Sequence, residues 1–237
     1  RKGYVSGAAD LADTVKGCFL GQAGDWCTTP AQSINYASCH DNMTLLDRIS
    51  RSTPCVSEED RIRMNNLSAV IYMTAQGIPF LQAGEEMLRT KIDASGGFVE
   101  NSYNSPDYVN SIKWDTLEDE AYQNVYNYYK GLIAFRKAHA ALRLTNATDV
   151  NANITSVDGL DENVLAFRIN GGVNGETSDG IFVIFNPNST ETSVTLPDGA
   201  WDVCVNADHA GTEALTTVSG SVSVEPISAM VLVKKES

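Results

Sequence analysis

A chain of 237 residues, 43% hydrophobic and 20% charged, has the composition of an ordinary folded protein with enough apolar mass for a core. Its formal net charge of −13 repels phosphate backbones and argues against nucleic acid as a partner, whereas a neutral ligand such as a sugar is unaffected. No apolar run approaches the roughly 20 residues that cross a bilayer, so no membrane partner is expected.

Residues 1–32 are the least periodic. Ala8 to Val15 predicts a short helix, and the Gly, Thr and Pro residues between Gly21 and Pro30 predict a loop. The opening Arg1-Lys2-Gly3, without a methionine, points to a longer protein whose beginning lies upstream. Ser33 to Ser38 then reads as a strand that ends abruptly in His40-Asp41-Asn42. Thr44 to Arg51 predicts a helical turn. Ser57 and the acids Glu58, Glu59 and Asp60 mark the start of a helix running to about Gln76. Serine caps free amides there, and carboxylates favour the positive end of the helix dipole. Ile62, Asn66, Ala69, Val70 and Met73 share one stripe of that helix, and Gly77 is expected to stop it. Ile78 to Gly84 reads as a second strand ending in Glu85-Glu86. One of these glutamates is expected to face a cleft and the other to pair with Arg89 or Lys91. Strand, polar loop, helix and strand in this order make a βαβ unit, hence parallel strands.

An irregular stretch over about residues 89–120 carries Asn101, Tyr103, Asn104, Asp107 and Tyr108. Loops of this length are usually functional, and this mixture of amide, carboxylate and aromatic groups suits a sugar; a loop pinned by its own Asx-turns is the equal alternative. A helix over about 119–141 presents Val125, Tyr129, Leu132 and Ile133 on one face. From Leu142 the texture becomes β-branched runs separated by turn residues, which predicts an antiparallel β-sandwich. The division is therefore residues 1–141 as an α/β portion and 142–237 as an all-β portion.

Asp41 is the strongest chemical candidate. A carboxylate just after a strand, between His and Asn, can stay ionised and stabilise positive charge developing on a substrate; a turn-capping aspartate is the alternative. His40 beside it is a plausible ligand for a neutral molecule, while His139 and His209 read as structural or exposed. The five cysteines match no zinc spacing and read as small buried hydrophobes, and their odd number favours a reducing, cytoplasmic compartment. No phosphate loop, His-x-x-x-His pair or Gly-x-Ser-x-Gly elbow occurs, and no metal or cofactor is expected.

The blocks Ile34 to Leu45 and Gly77 to Glu86 resemble the seventh- and eighth-strand regions of the α-amylase family of glycoside hydrolases. The loop from Asn101 to Asp107, with Asn110 and Trp114 beyond it, and the opening Lys2 to Gly7 resemble the type I pullulanases within that family. This resemblance implies that residues 1–141 are the C-terminal part of a (β/α)8 TIM barrel, followed by an antiparallel β-sandwich. It implies Asp41 as the transition-state-stabilising carboxylate and His40, Asn42, Asn101, Tyr103, Asn104 and Asp107 as groups around an α-glucan. It also implies that the nucleophile and acid/base lie on upstream strands, so that the parent is a retaining α-1,6-debranching enzyme and this portion alone is inactive. The expected partners are α-glucans and the missing N-terminal part of the barrel. An α-1,4-acting amylase or transglycosylase and a non-catalytic carbohydrate-binding module are the alternatives.

Overall fold

The structure, a computed structural model, describes residues 1–234. In chain order it contains α1 (Ala12–Phe19), β1 (Ile34–Asn35), α2 (Leu45–Ser52), α3 (Glu58–Thr74), β2 (Ile78–Pro79), the one-turn α4 (Asp107–Asn110), α5 (Glu120–Ala138) and α6 (Ala147–Asn153). The strands β3 (Ile154–Ser156), β4 (Leu165–Asn170), β5 (Gly180–Asn186), β6 (Thr192–Thr195), β7 (Trp201–Val205), β8 (Thr216–Val218), β9 (Ser221–Val224) and β10 (Ser228–Lys234) follow.

The starts of the two long helices carry side-chain caps, the one at Ser57 as expected. Ser57 Oγ accepts from the Asp60 amide at 3.1 Å, and Asp119 Oδ1 accepts from the Ala121 amide at 2.8 Å. The end of α3 differs from expectation. The helix stops at Thr74, and carbonyls at and just beyond its end are held by another helix: Arg136 of α5 donates to the carbonyls of Met73, Ala75 and Gly77 at 2.7–2.8 Å. Gly77 instead makes the turn into β2. Its φ is +101°, and a Cβ there would stand 2.8 Å from the Ser33 carbonyl oxygen.

The buried face of α3 is also wider than the expected stripe. From Met64 to Thr74 every residue but Ile71 is buried, because α1, α2, α5, β5 and β10 surround this helix. On α5, Val125, Tyr129 and Leu132 are buried as expected, but Ile133 is exposed.

The strands β1 and β2 are parallel, with Ile34 opposite Ile78 and Asn35 opposite Pro79. They are far shorter than the sequence run suggested. Among the described residues this sheet has two strands and no neighbour on either edge, so ordered pairing stops after two residues each. The βαβ unit is present, whereas barrel curvature and further barrel strands are not seen among the described residues. Ile34, Tyr36, Ile78 and Phe80 stand exposed on and just beyond this pair.

The all-β portion is a six-stranded sheet in the order β3-β4-β5-β10-β7-β8, antiparallel throughout, covered on one face by the antiparallel pair β6-β9. Alternation along the strands divides two cores. Phe167, Ile169, Ile181, Val183, Phe185, Ala229 and Val231 face the helices, where they join Phe19 and residues of α3 and α5. Ala166, Phe182, Ile184, Leu232 and Trp201 face β6 and β9. All of β5 is buried, which fits its unbroken apolar run from Ile181 to Phe185. The first core runs continuously from the helical portion into the sheet, so residues on both sides of 141/142 share one hydrophobic interior.

Of the cysteines, Cys27 and Cys204 are buried, Cys18 and Cys39 are half-buried and Cys55 is exposed. All five are free thiols, and the buried-hydrophobe reading holds for only two of them.

Candidate functional site

After β1 the chain passes through Ser38 and turns at His40-Asp41-Asn42 before Thr44 caps α2, its Oγ1 accepting from the Asp47 amide at 3.2 Å. The turn is held at both ends. Ser38 Oγ donates to Glu85 Oε2 at 2.6 Å, and Lys91 Nζ donates to the Asn42 carbonyl at 2.5 Å. Asn42 sits at φ 62°, a left-handed conformation that asparagine tolerates better than most residues. Between the two anchors the His40 and Asp41 side chains are 86% and 74% exposed, with His40 Nε2 3.5 Å from Asp41 Oδ2. The backbone is fixed while the chemistry-bearing side chains stay open.

These residues form one wall of a cleft of about 260 Å³, lined by His40, Asp41, Asn42, Gln82, Arg89, Lys91, Glu100, Asn101, Ser102, Tyr103 and Asn110. On its other side Asp41 borders a hollow of about 440 Å³ shared with Tyr36, Ala37, Ser38, Cys39, Asn42, Met43, Arg48 and Glu100. A further hollow of about 690 Å³ lies away from this chemistry, between the start of the chain and the loops of the β portion.

Of the sequence-predicted set, the structure brings together His40, Asp41, Asn42, Asn101 and Tyr103. Asn104 and Asp107 do not line the cleft; both are exposed further along the loop, where Asp107 opens α4. Tyr103 is 84% exposed at the rim, an open aromatic face. The opposite wall is tied internally. Asn110 Nδ2 donates to the carbonyls of Ser102 and Ser105 at 2.7 and 3.1 Å, and Arg89 donates to the Asn110 carbonyl. The loop is therefore pinned by bonds of its own at Asn110, while Asn101 and Tyr103 line the cleft.

The glutamates after β2 depart from expectation. Glu85 is buried, borders only a small enclosed hollow with Ser38 and Arg89, and makes no ion pair with Arg89 or Lys91 among the described residues. It accepts from Ser38, from Tyr72 at 2.7 Å and from Tyr129 at 3.2 Å. Burial pushes its carboxyl above the usual range; the three hydroxyl donors only partly offset this. Glu86 turns back onto the Gly84 amide at 2.9 Å rather than pairing with Arg89 or Lys91.

Lys91 and Asp47 are the residues that sequence reasoning missed in this role. Lys91 is 1% exposed and Asp47 0%, and Asp47 Oδ2 accepts from the Lys91 amide at 2.8 Å. Burial and the nearby Arg89 charge push the Lys91 ammonium below its usual value, against the opposing pull of Asp47 and Asp41. Nothing in the local pattern around Lys91 marks it as buried, since its partners are about 45 residues away in sequence. His139 is structural as expected: its Nδ1 lies 3.1 Å from Glu176 Oε1. Among the described residues no group of three or more His, Cys, Asp or Glu side chains is placed to hold a metal, and no helix is long and apolar enough to cross a membrane.

With this geometry in hand, comparison with known proteins is informative. A family profile described as "Pullulanase, all-beta domain" matches residues 150–209, within the β portion. The pullulanase of Bacillus subtilis (strain 168) is 35% identical over 173 residues, covering 70% of this chain and 23% of that protein. Pullulanase 1, chloroplastic, of Arabidopsis thaliana is 42% identical over 88 residues, covering 37% of this chain and 9% of that protein. Among solved structures, the pullulanase from Bacillus acidopullulyticus superimposes with a TM-score of 0.92 at 36% identity over 98% of this chain and 28% of that one. The pullulanase from Paenibacillus barengoltzii, solved in complex with maltohexaose and alpha-cyclodextrin, gives a TM-score of 0.88 at 37% identity over 100% of this chain and 36% of that one.

Sequence and fold together place the chain with the pullulanases, and it spans about a quarter to a third of the length of the B. subtilis and structurally similar members.

Proposed function

We propose that the chain is the part of a type I pullulanase that carries the third catalytic carboxylate and one wall of the α-glucan site. In this reading β1 and β2 are adjacent strands of a (β/α)8 barrel, and the remaining strands come from upstream polypeptide. The exposed Ile34, Tyr36, Ile78 and Phe80 support it, since an isolated strand pair of a soluble protein gains nothing from an apolar row in water.

The observation that carries the site assignment is the clamped turn. Asp41 is presented on a backbone held by Glu85 and Lys91, at the mouth of a cleft with amide, hydroxyl and aromatic groups opposite. Such a carboxylate can accept hydrogen bonds from sugar hydroxyls and stabilise the positive charge of an oxocarbenium-like transition state, without itself forming the covalent intermediate. His40 and Asn42 would hold the same sugar, and Asn101 and Tyr103 would meet it from the far wall, with Tyr103 stacking on a ring face. Asn104 and Asp107 would serve glucan units further from the reacting bond. The nucleophile and the acid/base belong to upstream strands, so the isolated chain would bind without turnover. The parent would cleave α-1,6 branches of pullulan, amylopectin or glycogen with retention.

Calorimetric titration of the chain with maltotriose tests the binding half: saturable heat that is lost in Asp41→Ala is expected, and no heat in the folded wild type would defeat it. Product analysis on pullulan with the full-length polypeptide tests the other half, because α-1,6 cleavage releases maltotriose and α-1,4 cleavage does not.

A further inference from the structure

We propose that Lys91 is a positioning residue for Asp41: buried under the cleft floor, it sets the turn that presents the carboxylate and joins that turn to the opposite wall. The inference deepens the reading of the site as a glucan cleft and rests on it for its binding arm.

Three contacts of one residue carry it. Through its side chain, Lys91 Nζ holds the Asn42 carbonyl at 2.5 Å, at the residue whose φ of 62° makes the turn. Asparagine tolerates this conformation, and a charge-assisted hydrogen bond to its carbonyl holds the turn there. Through its amide, Lys91 is fixed to α2, because Asp47 Oδ2 accepts at 2.8 Å from a helix that begins just after the turn. Through its carbonyl, Lys91 accepts from the Val99 amide at 2.8 Å, which anchors the strand-like return leading to Glu100, Asn101 and Tyr103. One buried lysine thus spans both walls, and its three main-chain and side-chain bonds fix the distance between Asp41 and the residues opposite.

The test uses the whole chain with two variants. Lys91→Met keeps the packed stem and removes the ammonium; Lys91→Arg keeps the charge and a donor. Backbone 15N relaxation in the wild type should give rigid order parameters of about 0.85 at His40, Asp41 and Asn42, falling below about 0.6 in Lys91→Met and staying near wild type in Lys91→Arg. Maltotetraose, used as the probe, should bind about tenfold more weakly to Lys91→Met, a change of about 1.4 kcal/mol. A folded Lys91→Met protein with unchanged order at residues 40–42 overturns the proposal, even if its unfolding midpoint drops, because that is the signature of a merely structural lysine.

If Lys91→Met does not fold, the wild type decides. The Lys91 ammonium should exchange its protons slowly enough to give its own 1H–15N signal, and exchange as fast as that of the exposed Lys130 overturns the proposal. A wild-type chain that binds no maltotetraose defeats the glucan reading and leaves the relaxation arm to judge Lys91 separately.

Discussion

Ser38 Oγ donates to Glu85 Oε2 across 2.6 Å, joining the exit of β1 to the exit of β2 through a carboxyl that is 4% exposed. The same carboxyl receives Tyr72 from α3 and Tyr129 from α5, so four separate parts of the helical portion meet at one group. Replacing Glu85 by Leu would strand three buried hydroxyls. A loss of about 3 kcal/mol is expected from urea unfolding, since each unsatisfied buried polar group costs about 1–3 kcal/mol.

Glu85 also has a pH signature. Its folded carboxyl lies above the usual value of 4.5, so the folded state binds the proton more tightly than the unfolded one. Its contribution is therefore fully present below the unfolded value and is lost as pH rises through the folded value. Glu85→Gln mimics the protonated form. Urea midpoints measured from pH 4 upward should show the variant gaining on the wild type as pH rises.

Glu176 works in the opposite direction. Burial opposes its ionisation, but amides of Ser178 and Ala141 and the side chains of His139 and Ser178 outweigh burial and hold the carboxyl below its usual 4.5. Its stabilisation is present above the unfolded value and is lost as pH falls through the lower folded value. Glu176→Gln should accordingly cost stability at pH 7 and progressively less on acidification, as read from thermal midpoints across that range.

The junction between helices and sheet is close-packed at Gly131. A Cβ there would stand 1.8 Å from the Ala210 carbonyl oxygen, which is main chain and cannot swing away. Gly131→Ala is expected to destabilise by about 3 kcal/mol, the upper end of ordinary overpacking, despite alanine's better helix propensity. A neutral or stabilising result in chemical denaturation would mean that α5 and the 206–211 turn are not in this contact.

The exposed row on the β1–β2 pair predicts behaviour in solution. Ile34 is 59% exposed, and Tyr36 and Phe80 meet edge-to-face at 5.9 Å without cover. The isolated chain should self-associate as concentration rises, by sedimentation velocity, and Ile34→Lys with Phe80→Lys should suppress this while leaving the unfolding midpoint within about 0.5 kcal/mol.

Much of this architecture is legible in local sequence. Ser57 announces its helix because capping is a matter of adjacent residues, and the β-branched runs announce the sheet, in which β5 carries an unbroken apolar run from Ile181 to Phe185. The His40-Asp41-Asn42 turn is legible for the same reason: a strand pattern ends there in polar groups. What is not legible depends on distant partners. Arg136 looks like an ordinary basic residue near the end of α5, yet it holds the carbonyls that finish α3, about 60 residues away in sequence. Lys91 and Glu85 look like a surface charge pair and are instead two separate buried anchors. The lengths of β1 and β2 were misjudged because a strand pattern specifies an inclination to pair, whereas ordered length requires neighbouring strands.

The central claim is that Asp41 is the transition-state-stabilising carboxylate of a glucan-debranching site. The most direct measurement is kcat for maltotriose release from pullulan by the full-length polypeptide carrying Asp41→Asn, a substitution that keeps the size of an exposed side chain. A fall of about a hundredfold or more is predicted, on the scale of removing one preorganised charge-stabilising group. A kcat close to that of the wild type would contradict the claim.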